Sequence, residues 1–417
     1  MTQQLDHAEM TTLDHVPTPY YAYDLDVAER RVAELLALLP VGSELFYSFK
    51  ANPLPGLVSA IGSAGARADL TSPGEIRAAQ IAGFDLSTAL YGGPGKNTAE
   101  LSAALLAGVR TFSIESFHDL EALNVAVGEA GVDVEVLLRV NPAEPPRAKL
   151  AMSGVASQFG FEEDDLRDHG PLATAPGVSV IGFHIYWGTQ IGGPDELGAC
   201  FSNAIEAADS LAEVLGVDLR VVNLGGGFPW PYAVDGKGPD LAPLRDSLVE
   251  LRSRATPAGE ATWWFEAGRY CVASAGRLVT TVMDRKRSKD REFVILDSGI
   301  NHLGGMTGLG RIPRFAVDLS APDARVGDPV AVDLVGQLCT PLDLVGRKVE
   351  IPSDLEVGDV VEVPNVGAYG ASGSLTNFLS RPAALEVCHR GGRVRSVEQL
   401  STGHVSVSEP ALRSGSS

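Results

Sequence analysis

From about residue 43 to residue 269, short apolar runs alternate with amphipathic stretches. The strand-length runs are SELFYSFK (43–50), ARADL (66–70), TALYGG (88–93), RTFSIES (110–116), VEVLLRVN (134–141), SVIGFHIYW (179–187), LRVVNLGG (219–226) and ATWWFEAGR (261–269). Several are apolar on both faces, as strands covered on two sides must be. Between them, residues 97–108, 116–131 and 201–216 carry helical spacing. Eight strand–helix units in this length fit an α/β fold of the (β/α)8-barrel type. An open doubly wound sheet is the competing architecture. No long gap marks a reversal of strand order, which favours the barrel.

After residue 275 the alternation of strand and helix stops. RLVTTVMDRK, EFVILDSG, PVAVDLVGQLC, DVVEVPNVGAY and AALEVCHRGGRVRSVE read as strands without intervening helices. A second, β-rich domain is expected there. The early PTPYYAYDLD (17–26) is strand-like and is expected to join it. The division is therefore a barrel over 31–275, a β-sandwich or β-barrel domain from 1–30 with 276–400, and a disordered tail over 401–417.

Composition narrows the function classes. The chain has 417 residues, 45% hydrophobic and 21% charged, enough for an ordinary core. No run of eighteen apolar residues suggests a membrane span. The start, MTQQLDHAEMTTLDH, has neither the basic region nor the apolar run of a signal peptide. Cys200, Cys271, Cys339 and Cys388 lie far apart, so neither a zinc site nor a disulfide framework is expected. A cytoplasmic protein with free thiols is the expectation. A net charge of -20 argues against nucleic acid as a partner. One basic run, Asp284 to Arg291, reads as a solvated turn between two strands, or as a docking point for an acidic protein.

In such barrels, functional groups sit at the C-terminal ends of strands. Those ends carry Lys50, Asp69, the Gly92–Lys96 turn, Arg139 with Asn141, His184 with Tyr186, Gly225–Gly227, and Glu266 with Arg269. The rim is unusually polar and glycine-rich. Lys50 closes the apolar run Leu45–Phe49. It is either a strand end whose ammonium reaches solvent along its stem or a residue with a chemical task. Gly225-Gly226-Gly227 after the seventh strand allows backbone N–H groups to close on an anion, although a tight turn explains it equally well. Arg269 offers a guanidinium at the same rim. A phosphate-anchored cofactor that condenses with lysine is pyridoxal phosphate (PLP). Its ring nitrogen needs an acidic neighbour, and Glu266 is the natural candidate.

These motifs resemble the fold-type III PLP decarboxylases, the group of diaminopimelate, ornithine and biosynthetic arginine decarboxylases, over nearly the whole chain. FYSFKANP resembles the Schiff-base strand, which makes Lys50 the cofactor lysine. ADLTSPGE places Asp69 near the cofactor. NLGGGFP and FEAGR resemble the phosphate loop and the ring-nitrogen acid, with Gly268, Arg269 and Arg139 in the same set. QLCTPLD (337–343) resembles the motif that supplies a cysteine across a dimer interface. The resemblance thus implies a homodimer with shared active sites, Cys339 as proton donor and Asp343 at the substrate. NVGAYGAS (365–372) resembles the segment whose tyrosine, here Tyr369, contacts the phosphate.

Two departures matter. Relatives carry a histidine that stacks on the cofactor ring where this chain has Tyr186, within GFHIYWGTQ. His184 remains beside it as a candidate substrate contact or a core histidine, and Thr189 replaces a serine that faces the phosphate. The segment GINHLGGMTGLGRIPRF (299–315) also lacks the NDxxRPxxY pattern that grips the distal end of diaminopimelate. YGGPGK, MSGVASQFG (152–160), HIYWGTQ, LCTPLDLVGRKVEIP and GAYGASGSLTNFLSRP resemble a subgroup acting on aminoacyl carrier proteins, in butirosin and macrolactam biosynthesis. This resemblance implies a glutamyl or 3-methylaspartyl substrate tethered to an acyl carrier protein. A decarboxylase of a free amino acid, a racemase and a non-catalytic regulatory homologue are the alternatives.

Overall fold

The computed structural model describes residues 11–142, 156–254, 256–304, 316–322 and 324–404. The first strand, β1 (Tyr20–Asp24), precedes a ring of parallel strands. These are β2 (Glu44–Ser48), β3 (Arg67–Leu70), β4 (Leu90–Tyr91), β5 (Thr111–Ile114) and β6 (Val134–Asn141), then the two-residue β7 (Phe161–Glu162), β8 (Val178–Ile185), β9 (Val221–Asn223) and β10 (Thr262–Ala267). Pairing runs β5-β4-β3-β2-β10-β9-β8-β6, and β5 pairs with β6 to close the barrel. β7 lies beside β6, outside the ring of eight. Phe46, Leu90, Leu137, Ile181, Val221 and Trp264 form one buried cluster, contributed by six of the eight ring strands. The barrel interior is therefore packed rather than hollow, and the open space lies at the strands' C-terminal ends.

Local chemistry fixes where the helices begin and end. Ser72, Asn97 and Ser116 accept from the backbone N–H groups of Glu75, Glu100 and Asp119, which caps three of the barrel helices. Asp24 caps another, Leu25–Leu38. That helix runs through the division expected at residue 31, because the strand of 17–26 ends in a capping aspartate. The helix expected over 201–216 is longer, Pro194–Leu215, with proline in its first turn.

The remaining strands are β11 (Gly276–Ser288), β12 (Arg291–Leu296), β13 (Pro329–Val335), β14 (Leu344–Pro352), β15 (Val360–Val363), β16 (Leu385–Arg390) and β17 (Arg393–Gln399). They join β1 in a second sheet of order β14-β13-β12-β11-β1-β16-β17, with β15 on β11. β1 is central: it is antiparallel to β11 and parallel to β16. The basic run after Asp284 lies mostly within strands, leaving a turn of only Lys289 and Asp290. Arg285 pairs with Glu292, and Arg291 with Asp333. Two of its cations are thus committed within the sheet. Residues 305–315, 152–155 and 405–417, on which parts of three sequence expectations fall, lie outside the described residues.

Candidate active site

The strand expected to reach Lys50 stops two residues earlier. β2 ends at Ser48, and Phe49–Ala51 form a 3-10 turn. Phe49 and Ala51 are buried, while Lys50 projects into a cavity of about 670 Å3 at the C-terminal end of the barrel. The lysine is enclosed by protein yet open to the solvent of the cavity. Burial opposes its charge, but Asp69 and Glu266, with Tyr186 and Tyr369, outweigh that and hold its pKa above the usual lysine range.

Two acids face the lysine from neighbouring strands. Asp69, on β3, is 5% exposed, and its Oδ2 has no hydrogen-bond partner. Burial, and then the Glu266 charge, push its pKa up. Glu266, on β10, accepts from Asn223 Nδ2 at 2.8 Å. His184 Nε2 lies 3.2 Å from the same oxygen, Oε1, out of good hydrogen-bond alignment. The other ring nitrogen, Nδ1, is 2.9 Å from Ser113 Oγ. Burial first, then the Arg139 cation, lower the His184 pKa to about 3, so its imidazole is neutral. Both ring nitrogens thus lie beside protein groups. His184 also lines the cavity, where a substrate contact was expected of it.

The same rim carries the groups expected to meet an anion. Arg269, directly after β10, has a buried Nε without a partner and no acid in an ion pair among the described residues. Burial lowers its pKa from the ordinary arginine value. Its guanidinium lies 4.9 Å from the centre of the Tyr369 ring. Tyr369 has φ +59°, and its N–H donates to Ala51 O at 2.8 Å, next to Lys50. Tyr186 and Thr189 also line the cavity. Burial raises the Tyr186 pKa, and a hydrogen bond between its phenol and the Thr189 hydroxyl works against that.

The triple glycine is closely packed against these elements. A Cβ on Gly225 would lie 2.6 Å from Tyr186 Cδ2, and one on Gly226 would lie 2.0 Å from Glu266 O. One on Gly227 would lie 2.5 Å from Ile191 Cδ1. These residues let the loop after β9 tuck between the ends of β8 and β10. Gly268 likewise packs under the lysine turn, with a Cβ there 2.8 Å from Ala51 Cβ.

Cys339 and Asp343 do not line the cavity of their own chain. Cys339 is exposed. Asp343 is buried and accepts from Ile300 N at 2.9 Å and Leu338 N at 2.7 Å, which ties together two loops of the second sheet. In this chain each of its carboxylate oxygens accepts one of these backbone N–H groups.

Of the remaining wall groups, Lys96 and Arg139 stood among the polar strand ends of the sequence, while Glu100 carried no clear signal. Lys96 Nζ donates to Gly93 O at 2.6 Å and Ser113 O at 3.0 Å and pairs with Asp119 at 2.6 Å. This fully buried lysine pins the Gly92–Lys96 turn to β5. Arg139 pairs with Glu115 at 2.8 Å over the Phe159 ring. Glu100 also faces the cavity, with Tyr91 O–H donating to it at 2.5 Å. The Asn97-x-x-Glu100 capping pattern was the available signal for Glu100, and it points only to a helix start.

The groups fit pyridoxal phosphate. An unpartnered buried arginine nitrogen suits a phosphate, an enclosed lysine suits an aldehyde, and a buried carboxylate with a donor-fixed Oε1 suits a protonated ring nitrogen. A (β/α)8 barrel with this arrangement at its C-terminal rim defines a PLP enzyme of the decarboxylase barrel class. A family model described as "Pyridoxal-dependent decarboxylase, pyridoxal binding domain" matches residues 25–273. Among curated proteins, the L-glutamyl-[BtrI acyl-carrier protein] decarboxylase of Niallia circulans is 31% identical over 409 residues, 95% of each chain. The diaminopimelate decarboxylase of Aquifex aeolicus is 28% identical, over 92% of this chain and 89% of that one. Among solved structures, lysine decarboxylase from Selenomonas ruminantium superposes with a TM-score of 0.76 at 27% identity, over 90% of this chain and 93% of that one. Diaminopimelate decarboxylase from Helicobacter pylori, complexed with L-lysine, has a TM-score of 0.80 at 24% identity, over 93% and 94%. The chain belongs to the pyridoxal-dependent decarboxylase family and is a PLP-dependent carboxy-lyase.

Proposed function

We propose that this enzyme removes the α-carboxylate of an acidic amino acid, glutamyl or 3-methylaspartyl, held as a thioester on an acyl carrier protein in natural-product biosynthesis. The observation that supports this is the state of the cations on the cavity wall. Lys96 is committed to Asp119 and Arg139 to Glu115. Lys50 and Arg269 are the cations we assign to the cofactor. Thr71, Ser72, Pro73, the Gly92–Gly95 turn, Ser372 and Gly373 supply a small, neutral surface. Among the described residues that line the cavity, no further cation remains to hold a distal carboxylate. A thioester at that position carries no charge and needs only a passage. The similarity to a glutamyl-carrier decarboxylase points the same way.

When bound, PLP supplies an electron-accepting ring that takes up the pair released as CO2 departs. Lys50 anchors the cofactor and yields to the substrate amine. Glu266, with Oε1 held by Asn223, keeps the proton at the ring nitrogen. Arg269, Tyr369, Thr189 and the loop Gly225–Gly227 hold the phosphate. Tyr186 covers one ring face, and Asp69 and Arg139 stand beside it. Cys339 of a second subunit returns the proton to the α-carbon, so two chains share each site as a homodimer, with Asp343 fixing the loop that carries the cysteine.

A second reading, a free diamino acid as substrate, is favoured by Glu100. This acid faces the cavity and is in no ion pair among the described residues. Intact-protein mass spectrometry of carriers loaded with glutamate or 3-methylaspartate, beside free glutamate, diaminopimelate and ornithine, decides between the two. Loss of one CO2 from a loaded carrier alone is the expected result. Turnover of a free amino acid alone overturns the tethered substrate. Mixed dimers of Lys50→Ala and Cys339→Ala subunits should regain part of the activity that each parent lacks. No recovery removes the shared site.

A further inference from the structure

We infer that Ser113 and His184 form a positioning pair that fixes Glu266 for the cofactor ring. Ser113 Oγ–H donates to His184 Nδ1, which places the only imidazole proton on Nε2, beside Glu266 Oε1. This rests on the assignment of Glu266 as the acid at the ring nitrogen.

The argument is one of proton inventory. His184 is 5% exposed on β8, between Ser113 on β5 and Glu266 on β10. A neutral imidazole has one N–H and one lone pair. With the proton on Nδ1, the Nε2 lone pair would face a carboxylate oxygen at 3.2 Å, and two acceptors would repel in a buried site. With the proton on Nε2, that contact becomes attractive and Nδ1 needs a donor. The Ser113 hydroxyl at 2.9 Å is that donor, and no other hydrogen bond of this hydroxyl competes among the described residues. The serine backbone is fixed as well, since Ser113 O accepts from Lys96 Nζ. Arg139 and Lys50 disfavour a second proton on the ring, while Glu115 and Asp69 favour one; burial exceeds all four. Asn223 Nδ2 donates to Oε1 and the positive end of the His184 N–H dipole lies beside the same oxygen, with Nε2 at 3.2 Å, which leaves Oε2 for the ring nitrogen. Neither residue touches the cofactor's reacting atoms in this scheme; both act through Glu266.

The test uses the full-length enzyme with 15N-labelled histidine, as holoenzyme and after PLP removal, together with PLP titration. The expected wild-type spectrum shows His184 neutral, protonated on Nε2 and bare on Nδ1. Ser113→Ala should populate the other tautomer and raise the PLP dissociation constant roughly three- to tenfold, the worth of about one hydrogen bond. Ser113→Thr, which keeps the hydroxyl, should restore both. A wild-type Nδ1–H or imidazolium signal overturns the inference, and that result needs no variant. A Ser113→Ala enzyme whose tautomer changes while PLP affinity stays constant overturns it too. Glu266→Gln separates the layers: wild-type PLP affinity and turnover there would remove the role of Glu266 while leaving the tautomer result standing.

Discussion

Replacing Lys96 by methionine removes one ion from the barrel wall with little change of volume. The side chains of Lys96 and Asp119 are 1% and 8% exposed, so water cannot replace the lost partner. Breaking such a pair from one side costs about 3–5 kcal/mol, because the remaining charge stays buried. Gly93 O and Ser113 O lose their donor as well, while Asp119 keeps only its bond from Glu115 N at 2.9 Å. The sign with pH follows from Asp119, whose pKa burial already raises despite the lysine. Without Lys96 the folded protein holds the Asp119 proton to higher pH than the unfolded chain does. Stability of the variant therefore falls as pH rises from the unfolded aspartate pKa, about 3.9, through the folded one, and then levels off. The deficit against wild type should be small near that lower limit and complete at pH values above the folded pKa. Urea midpoints at constant m, taken across this range, measure it. The Lys96→Met/Asp119→Leu double variant should recover more than half of the loss. A deficit below about 1 kcal/mol, or one that ignores pH, would refute the buried-pair reasoning. The Gly92–Lys96 turn lines the cavity, so substrate KM should rise with the same substitution.

Glu386 offers the opposite perturbation. Burial raises its pKa from 4.5 to about 7, and Glu398 sits directly opposite on β17. The folded state keeps its proton longer, so wild type loses stability as pH rises from 4.5 to 7. Glu386→Gln keeps an acceptor for Tyr23 O–H and should be more stable by roughly 1–3 kcal/mol at pH 8 but not at pH 4.5, read by thermal or urea unfolding. Gly226→Ala forces the loop after β9 away from Glu266 O by more than 1 Å, from a 2.0 Å contact, and should lower kcat/KM about 100-fold. Gly128→Ala, where a Cβ meets nothing within 4 Å, is the control that should leave activity unchanged. Lys50→Ala should abolish both turnover and the visible absorbance of the bound cofactor.

The barrel was legible because several of its strands are apolar on both faces and alternate with stretches of helical spacing. β6 matches its expected limits, Val134–Asn141. What the pattern could not supply was set by tertiary contacts. The run ending in Lys50 looks like a strand throughout, yet its last two residues enter the turn Phe49–Ala51, in which Phe49 and Ala51 are buried and Lys50 projects. β14 carries Gly346-Arg347-Lys348 in its middle, with Lys348 at φ +53°, and so shows no clean alternation. Among the site residues, Lys50, Asp69, Glu266, Arg269 and Tyr369 stood out as polar groups at strand ends or in motifs. Ser113, Glu115 and Asp119 did not, because a serine in TFSI and acids at a helix start are common. Their importance comes from partners far along the chain, His184 for Ser113, Arg139 for Glu115 and Lys96 for Asp119, separations that periodicity does not encode.

The place of β1 has a consequence for how this protein is made. Its YYAY segment is held between β11 and β16, strands whose paired residues begin at 276 and 385. A ribosome adding 5–20 residues per second leaves β1 without its first neighbour for roughly 10–50 s and without its second for roughly 20–70 s. Throughout that interval the chain carries an apolar strand with two unpaired edges while the barrel assembles behind it. Such a segment is a natural point of attachment for a chaperone, and a stalled or truncated chain would be left with an adhesive edge.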